Sequence, residues 1–192
     1  MGAEFGQEAE WNFEQSLDWH LLEQEPHRQL QTFFQTAGAF YLEHKELWEE
    51  DFDWKGFQWL CSDDKNGNTA AFLRKDTAGN PLVVVCNFSP VHRKGYRIGL
   101  PFAGQYKELL NTDDPIFGGD GYLNPGPLLS QPIPCHGVDQ SMEIDLPPLA
   151  AVIFRCTRKY PAKNEKTKHQ NDNTRNETEA GGSVTPAEKI QR

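Results

Sequence analysis

The sequence lacks the spacings of cysteine and histidine that hold metal ions in proteins. Its four cysteines form no CxxC pair, and its six histidines form no HxH or HxxxH pair. Three of the cysteines lie in strand-like apolar runs, which favours small buried thiols over metal ligands. We therefore expect no metal site and no cofactor.

The chain also has no apolar run close to the ~20 residues that a membrane-spanning helix requires. Its first residues carry neither the basic region nor the apolar region of a signal peptide. These two absences predict a cytoplasmic protein with no membrane partner.

Basic residues are scarce outside the C-terminal end of the chain. Eight Lys and Arg and five Asp and Glu lie from Arg158 onward, which leaves 11 basic and 23 acidic residues in 1–157. So acidic a segment disfavours nucleic acid and anionic membranes, since both need a basic surface. A neutral ligand such as a carbohydrate is compatible with it.

Residues 2–22 combine aromatic and acidic side chains without a helical or strand period, so they are predicted to form a structured loop. Aromatic rings stack on the apolar faces of sugars, and carboxylates accept hydroxyl hydrogens, so the loop has the composition of a polyol-binding surface. The alternative is that its rings only pack on a neighbouring domain. The loop holds Trp11, Trp19, Glu4, Glu8, Glu10, Glu14 and Asp18.

One amphipathic helix and seven strands are predicted after the loop. Apolar residues recur at three- and four-residue spacing from Leu30 to Trp48, which predicts a helix over residues 26–48. Seven short strands in about a hundred residues indicate a mainly β fold, a β-sandwich. The strands are predicted at 57–61, 69–75, 82–88, 96–100, 106–110, 142–146 and 150–156.

Residues 158–192 are polar and poor in large apolar side chains, so they are predicted to form a disordered tail. Near the N-terminus, by contrast, the chain has apolar surface that needs a covering partner. The apolar stripe of the predicted helix and the aromatic loop before it are expected to have nothing in this chain to cover them.

Several stretches of the sequence resemble glycogen branching enzymes, which are members of the α-amylase superfamily. MGAEFGQEAEW and SLDWHLL resemble the loop after the eighth barrel strand of that family. The resemblance runs through residues 1–157, in order and with family-like spacing. It continues in DFDWKGFQWL, VVVCNFSPV ahead of YRIGLP, KELLNTDDPIFGGDGYLN and CHGVDQSMEIDLPPLAAVIF.

The resemblance implies a domain layout. Residues 1–51 become the last loop and last helix of a (β/α)₈ barrel, and 57–157 become the C-terminal all-β domain of the α-amylase type. The chain is then expected to be a C-terminal fragment of such an enzyme, with α-glucan as its ligand and the N-terminal barrel portion as its protein partner.

The resemblance also implies a reaction. Branching enzymes cut an α-1,4 bond and transfer the freed segment to a 6-hydroxyl with retention, which requires two carboxyl groups about 5–5.5 Å apart. In the family these groups lie on barrel strands before the eighth, and no residue here matches a family catalytic motif. We therefore predict no catalytic residue, and we expect the chain to be inactive when alone.

The family implies glucan contact by Glu4, Trp11, Asp18 and Trp19 at the mouth of the barrel. The alternative role for them is support of the loop, with Asp18 capping or bracing it and Trp19 packed under it. Asn111, Asp113, His136 and Gly137 also lie in matched motifs, where turn formation explains them as well as ligand contact does.

Trp54 and Trp59 are stacking candidates, because family members also bind glucan near the first strand of the β-domain. Alternation along that strand places Phe57, Trp59 and Cys61 on one face, which favours core packing for Trp59. Surface stacking stays open as the alternative.

These observations leave three candidate functions. The first is the C-terminal part of a branching enzyme. The second is a glucan-binding β-domain without catalysis, and the third is a fragment of a debranching or trehalose-releasing enzyme. SLDWHLL together with NTD and GG favours branching over the third, and the retained apolar helix stripe favours a piece of a larger enzyme over the second.

Overall fold

The computed structural model describes residues 1–161, which form an opening loop, one α-helix and eight strands. The predicted tail lies outside these residues from position 162 onward, but its first two residues belong to the last strand. The elements are α1 (Glu25–Glu43), β1 (Phe57–Asp64), β2 (Thr69–Lys75), β3 (Pro81–Asn87), β4 (Arg93–Leu100), β5 (Gly104–Asn111), β6 (Leu128–Leu129), β7 (Gln140–Leu146) and β8 (Ala150–Lys159).

The strands form two antiparallel sheets. The larger has the order β1-β2-β3-β8-β5-β6, and the smaller pairs β4 with β7. Their inner faces share one apolar core, in which Val83 and Phe154 of the large sheet meet Ile98 and Met142 of the small one. The predicted β-sandwich is confirmed.

Strand β3 shows why the prediction succeeded. Its continuous apolar run places Leu82, Val83 and Val85 entirely out of solvent, because both faces of the strand are covered. Strand β7 shows the other pattern, since Met142 and Ile144 are buried whereas Glu143 between them is exposed. Each of the seven predicted strands is present.

Strand β6 was missed, and the tail was predicted to start too early. Strand β6 has only two residues, with Pro127 just before it, so it carries no alternation that a sequence pattern can detect. At the start of β5, Gly104 pairs with Lys159 and Gln105 with Arg158. These two pairs extend β8 past the predicted boundary.

The helix ends five residues earlier than predicted. At His44 the backbone leaves the helical region (φ −105°, ψ 90°), and Lys45–Leu47 form a 3₁₀ turn. This turn presents two buried side chains to Arg155 of β8, whose Nη2 donates to His44 Nδ1 at 3.0 Å and to Glu46 Oε1 at 2.7 Å. Trp48, the last residue of the predicted apolar stripe, follows this turn and is 43% exposed.

One side of α1 is covered, so the expectation that nothing covers its stripe is wrong for that side. Phe40 is buried, and Phe33 lies 5.5 Å from the ring of Phe117. Phe33 also lines a cleft of about 440 Å³ with Cys86 and Ala151, which are paired on the outer face of the large sheet. The other side stays open, with Phe34, Tyr41 and Leu42 exposed.

Candidate functional site

The opening loop is built from two 3₁₀ turns that contact α1, Ala3–Phe5 and Trp19–Glu23. Phe5 is completely buried, and its carbonyl oxygen accepts a hydrogen bond from His27 Nδ1 of α1 at 2.7 Å. Gly2 and Gly6 bracket the first turn with φ of 89° and 70°, a backbone conformation that glycine adopts without strain. The loop is therefore ordered by the helix it rests on.

A side chain connects the two turns. The backbone N–H of Asp18 donates to Gln7 Oε1 at 2.9 Å, and Gln7 Nε2 donates to the carbonyl oxygen of Ala9 at 3.0 Å. Residues 8–16 between these points are all exposed.

Three of the four residues predicted in this loop lie on or beside the two turns. Glu4 is exposed on the first turn, and Trp19 begins the second. The Trp19 ring is 51% exposed and lies 5.1 Å from the ring of Phe5, the residue that follows Glu4. Asp18 precedes Trp19 and makes no side-chain capping bond, which is not what the capping alternative predicts.

Trp11 stands apart from these three. It lies on the exposed segment 8–16, and its ring has no aromatic contact among residues 1–161. The contact between Phe5 and Trp19 therefore brings together the two turns that carry Glu4 and Trp19, whereas Trp11 lies on the exposed segment.

The second pair of predicted residues lies just before and within β1. Trp54 is 91% exposed on the 3₁₀ turn Trp54–Gly56, which Asp53 caps by accepting the Lys55 backbone N–H at 2.9 Å. The turn requires glycine at its end, because a Cβ on Gly56 would lie 2.0 Å from the carbonyl oxygen of Glu50. A rigid turn thus presents an indole to solvent.

The alternation argument for Trp59 is wrong because β1 contains a β-bulge. Trp59 pairs with Phe72 and Cys61 with Ala71, so two residues on β1 oppose one on β2. The extra residue turns Cys61 toward the core and leaves Trp59 on the outer face with Phe72. Trp59 is 53% exposed, in accordance with the surface alternative.

Three rings make an outer aromatic cluster, which we define as Phe57, Trp59 and Phe72. The ring centroid of Trp59 lies 5.0 Å from that of Phe57 and 5.8 Å from that of Phe72, and Trp59 is nearly perpendicular to both. The two Phe rings stack on each other at 5.3 Å. The sequence alone does not indicate Phe72, because only the register of β1 and β2 brings it beside Trp59.

Two carboxylates with lowered pKa values, Asp64 and Asp76, have structural partners. Asp64 accepts hydrogen bonds from Thr69 Oγ1 at 2.6 Å and from the Gly67 backbone at 2.7 Å, and the bond from Thr69 is the main cause of its lowered pKa. These bonds close the turn between β1 and β2. Burial acts to raise the pKa of Asp76, but hydrogen bonds from the side chain and backbone of Asn80, together with the nearby Lys45 ammonium, lower it below its usual value.

The matched motif around Asn111 and Asp113 builds a loop. Asp113 accepts from the backbone N–H groups of Asp120 and Tyr122 at 3.1 and 2.8 Å, and Asn111 Nδ2 donates to the Tyr122 carbonyl at 3.1 Å. These bonds support the turn-forming alternative for the two residues. His136 also occupies a turn conformation, with φ of 52°.

The structure also bears on two other features, a metal site and a membrane-spanning helix. No group of three or more His, Cys, Asp and Glu within residues 1–161 is arranged to hold a metal ion. Of the helical segments the structure describes, none has the length and apolar character needed to cross a bilayer. The four cysteines are free thiols, with Cys61 buried and the others half-buried.

Comparison with known proteins identifies the fold family. Residues 59–157 match the model described as alpha amylase, C-terminal all-beta domain. The chain belongs to this family. The matched residues run from Trp59 in β1 to Thr157 near the end of β8, so they include the bulge in β1.

Curated relatives extend the similarity beyond the all-beta domain. The chain is 44% identical over 155 residues to the 1,4-alpha-glucan branching enzyme GlgB of Pseudomonas fluorescens, which is 81% of this chain and 21% of that protein. It is 45% identical over 158 residues to the branching enzyme of Leifsonia xyli, covering 82% and 22%. The corresponding enzyme of Aromatoleum aromaticum is 43% identical over 154 residues, covering 80% and 24%.

The predicted resemblance to branching enzymes is therefore confirmed. The chain spans about a fifth of the length of these relatives. The assignment of residues 1–51 to a barrel stays a prediction, as do the glucan contacts of Glu4, Trp11, Asp18, Trp19, Trp54 and Trp59.

Proposed function

We propose that this chain serves in a 1,4-α-glucan branching enzyme, where it supplies one wall of the glucan groove and the C-terminal all-beta domain. The observation that carries the proposal is the half-exposed Trp19 ring against the buried Phe5 ring, next in the chain to Asp18 and Glu4 respectively, in a chain similar to branching enzymes over four fifths of its length.

The chemistry of the opening loop suits a neutral sugar chain. The Phe5 ring fixes the position of the Trp19 indole, whose exposed surface then stacks on the apolar face of a glucose unit. The carboxylates of Glu4 and Asp18 accept hydrogen bonds from its hydroxyl groups. Trp11, on the exposed segment, contacts a neighbouring unit of the glucan.

No residue in the chain is assigned a catalytic role. In the proposal, the two carboxyl groups that break and re-form the glycosidic bond belong to the barrel that the resemblance implies. This chain binds and positions the glucan beside them. The function is therefore glycosyl transfer by the whole enzyme, with this chain as a binding part.

The protein partner in this proposal is that barrel. The exposed side of α1 carries Phe34, Tyr41 and Leu42, which is more apolar surface than a solvent-facing helix normally presents. We propose that neighbouring barrel elements cover it. We also propose the cytoplasm as the compartment, which the four free thiols support because cytoplasmic thiols stay reduced.

The test is glucan affinity in solution, measured by calorimetric titration of maltoheptaose into the purified chain. Trp19→Ala is expected to weaken binding about threefold to tenfold, the loss for one ring–sugar contact. Trp48→Ala is the matched control, because Trp48 is similarly exposed but is not in the proposed site. Equal affinity of the Trp19 variant and wild type would overturn the proposed loop contact.

A glucan-binding β-domain without catalysis is a second candidate, and the outer aromatic cluster favours it. That cluster and Trp54 belong to β1, β2 and the turn before them, so they do not depend on the opening loop. If maltoheptaose binding is lost in Trp54→Ala and Trp59→Ala but kept in Trp19→Ala, this second function is the correct one.

A further inference from the structure

Residues 2–23 contain two short turns and no strand, so no backbone ladder sets the positions of the two turns relative to each other. The first turn is fixed to the helix through Phe5 and His27. The second turn follows a long exposed segment, along which small backbone changes at each residue accumulate. Contacts from outside this exposed segment must therefore fix the positions of Asp18 and Trp19.

Gln7 makes the bond that crosses this gap. Its Oε1 accepts the Asp18 backbone N–H at 2.9 Å, eleven residues further along the chain. Its Nε2 donates to the Ala9 carbonyl at 3.0 Å, so both ends of the side-chain amide are used. An amide held at both ends has a fixed orientation, and the position of Asp18 is fixed with it.

The first turn is shaped to receive this side chain. The Gln7 backbone N–H donates to the Gly2 carbonyl at 2.9 Å, which closes the turn. A Cβ on Gly2 would lie 2.8 Å from the Gln7 Cβ, closer than two carbons approach, so the space beside Gln7 exists only because residue 2 is glycine. Gln7 is therefore held by the turn that carries Glu4.

We infer that Gln7 is a positioning residue, which sets the place of Asp18 and Trp19 relative to Glu4 and Phe5. Gln7 acts through the Asp18 backbone and contacts no ligand itself. Without its bond the second turn is held mainly by the contact between Trp19 and Phe5 and by α1. The glucan-related part of this inference rests on the proposed function, whereas the positioning part does not.

The test uses three variants of the full chain. Gln7→Met has nearly the same length but neither hydrogen-bonding group. Gln7→Glu keeps an oxygen that accepts the Asp18 N–H. Gln35→Met, on an exposed glutamine of α1, is the matched control for the loss of an amide.

The first readout is the nuclear magnetic resonance spectrum of the chain labelled with ¹⁵N-tryptophan, in which each indole N–H group gives a signal. The Trp19 signal is identified by its absence in Trp19→Phe. Gln7→Met is expected to shift or broaden the Trp19 signal and to leave those of Trp54 and Trp59 in place. Gln7→Glu should bring the Trp19 signal back toward its wild-type position. The Trp54 and Trp59 signals also report whether the domain is still folded.

The second readout is maltoheptaose affinity, where Gln7→Met is expected to bind about fivefold more weakly, the effect of one lost hydrogen bond, and Gln7→Glu to recover most of that loss. An unmoved Trp19 signal in Gln7→Met overturns the positioning inference. A displaced signal in a chain whose wild type binds no maltoheptaose overturns the proposed function and upholds the positioning role.

Discussion

His44 is held neutral by its surroundings, and this gives the chain a pH-dependent stability. Burial and the Arg155 guanidinium lower its pKa below the usual 6.5, against the opposing charges of Glu43 and Glu46. The unfolded chain therefore binds the proton more readily than the folded chain. The free energy of unfolding is expected to be highest above pH 6.5 and to fall as the pH drops below it.

Urea unfolding between pH 7.5 and 5 measures this effect. His44→Gln removes the titrating group and keeps an acceptor for Arg155, so its stability should vary less across this range. His20→Gln, on an exposed residue, should behave like wild type. Burial also lowers the pKa of His136, so some pH dependence remains in the His44 variant. An unchanged slope in His44→Gln would contradict the prediction.

At the scale of single residues, the sequence indicated which residue types could contact a ligand but not which hydrogen bonds hold them in place. The glucan contacts predicted for Glu4, Asp18 and Trp19 rest on the cluster of aromatic and acidic residues there and on motifs that match a family. Gln7 was missed, since an isolated glutamine has no pattern and its partner lies eleven residues away. Only the glycine at position 2 hinted that another group comes close.

The element scale shows where periodicity works and where tertiary contacts override it. The seven longer strands follow from their apolar patterns. The end of α1 does not, because the His44–Glu46 turn is stabilised by Arg155, more than a hundred residues further along the chain. The bulge in β1 is also invisible to alternation, since its single extra residue is defined only by the pairing with β2.

The two sides of α1 are expected to differ in energetic weight. Phe40→Ala should lower the free energy of unfolding by about 3–5 kcal/mol, since it leaves a cavity in a buried contact. Phe34→Ala, the matched change on the open side, should cost less than about 1 kcal/mol. Chemical denaturation of both variants checks this. Similar losses in the two would mean that the chain itself covers the Phe34 side of the helix.

At the scale of the whole molecule, the opening loop and α1 are part of one compact unit with the sandwich. The two turns of the loop contact α1, and the turn after α1 makes buried bonds to β8. The glucan contacts proposed for the loop and for the outer aromatic cluster would therefore be carried on one scaffold. From the sequence, the helix stripe and the opening loop were expected to be uncovered, because the contacts that join α1 and the turn after it to the rest of the unit, such as those of Phe117 and Arg155, are made by residues distant in sequence.

This arrangement predicts binding without turnover when the 192-residue chain is assayed by itself. Retaining transfer needs a nucleophile and an acid/base on opposite sides of the bond, and none of the residues the structure describes is assigned either role. Iodine staining and branch-point analysis of amylose should show no new α-1,6 bonds, while maltoheptaose still binds. A full-length branching enzyme assayed in parallel controls for substrate quality. Formation of α-1,6 branches by the chain alone would show that a carboxyl pair within it performs the transfer, and Glu4 and Asp18 would then be the first residues to replace.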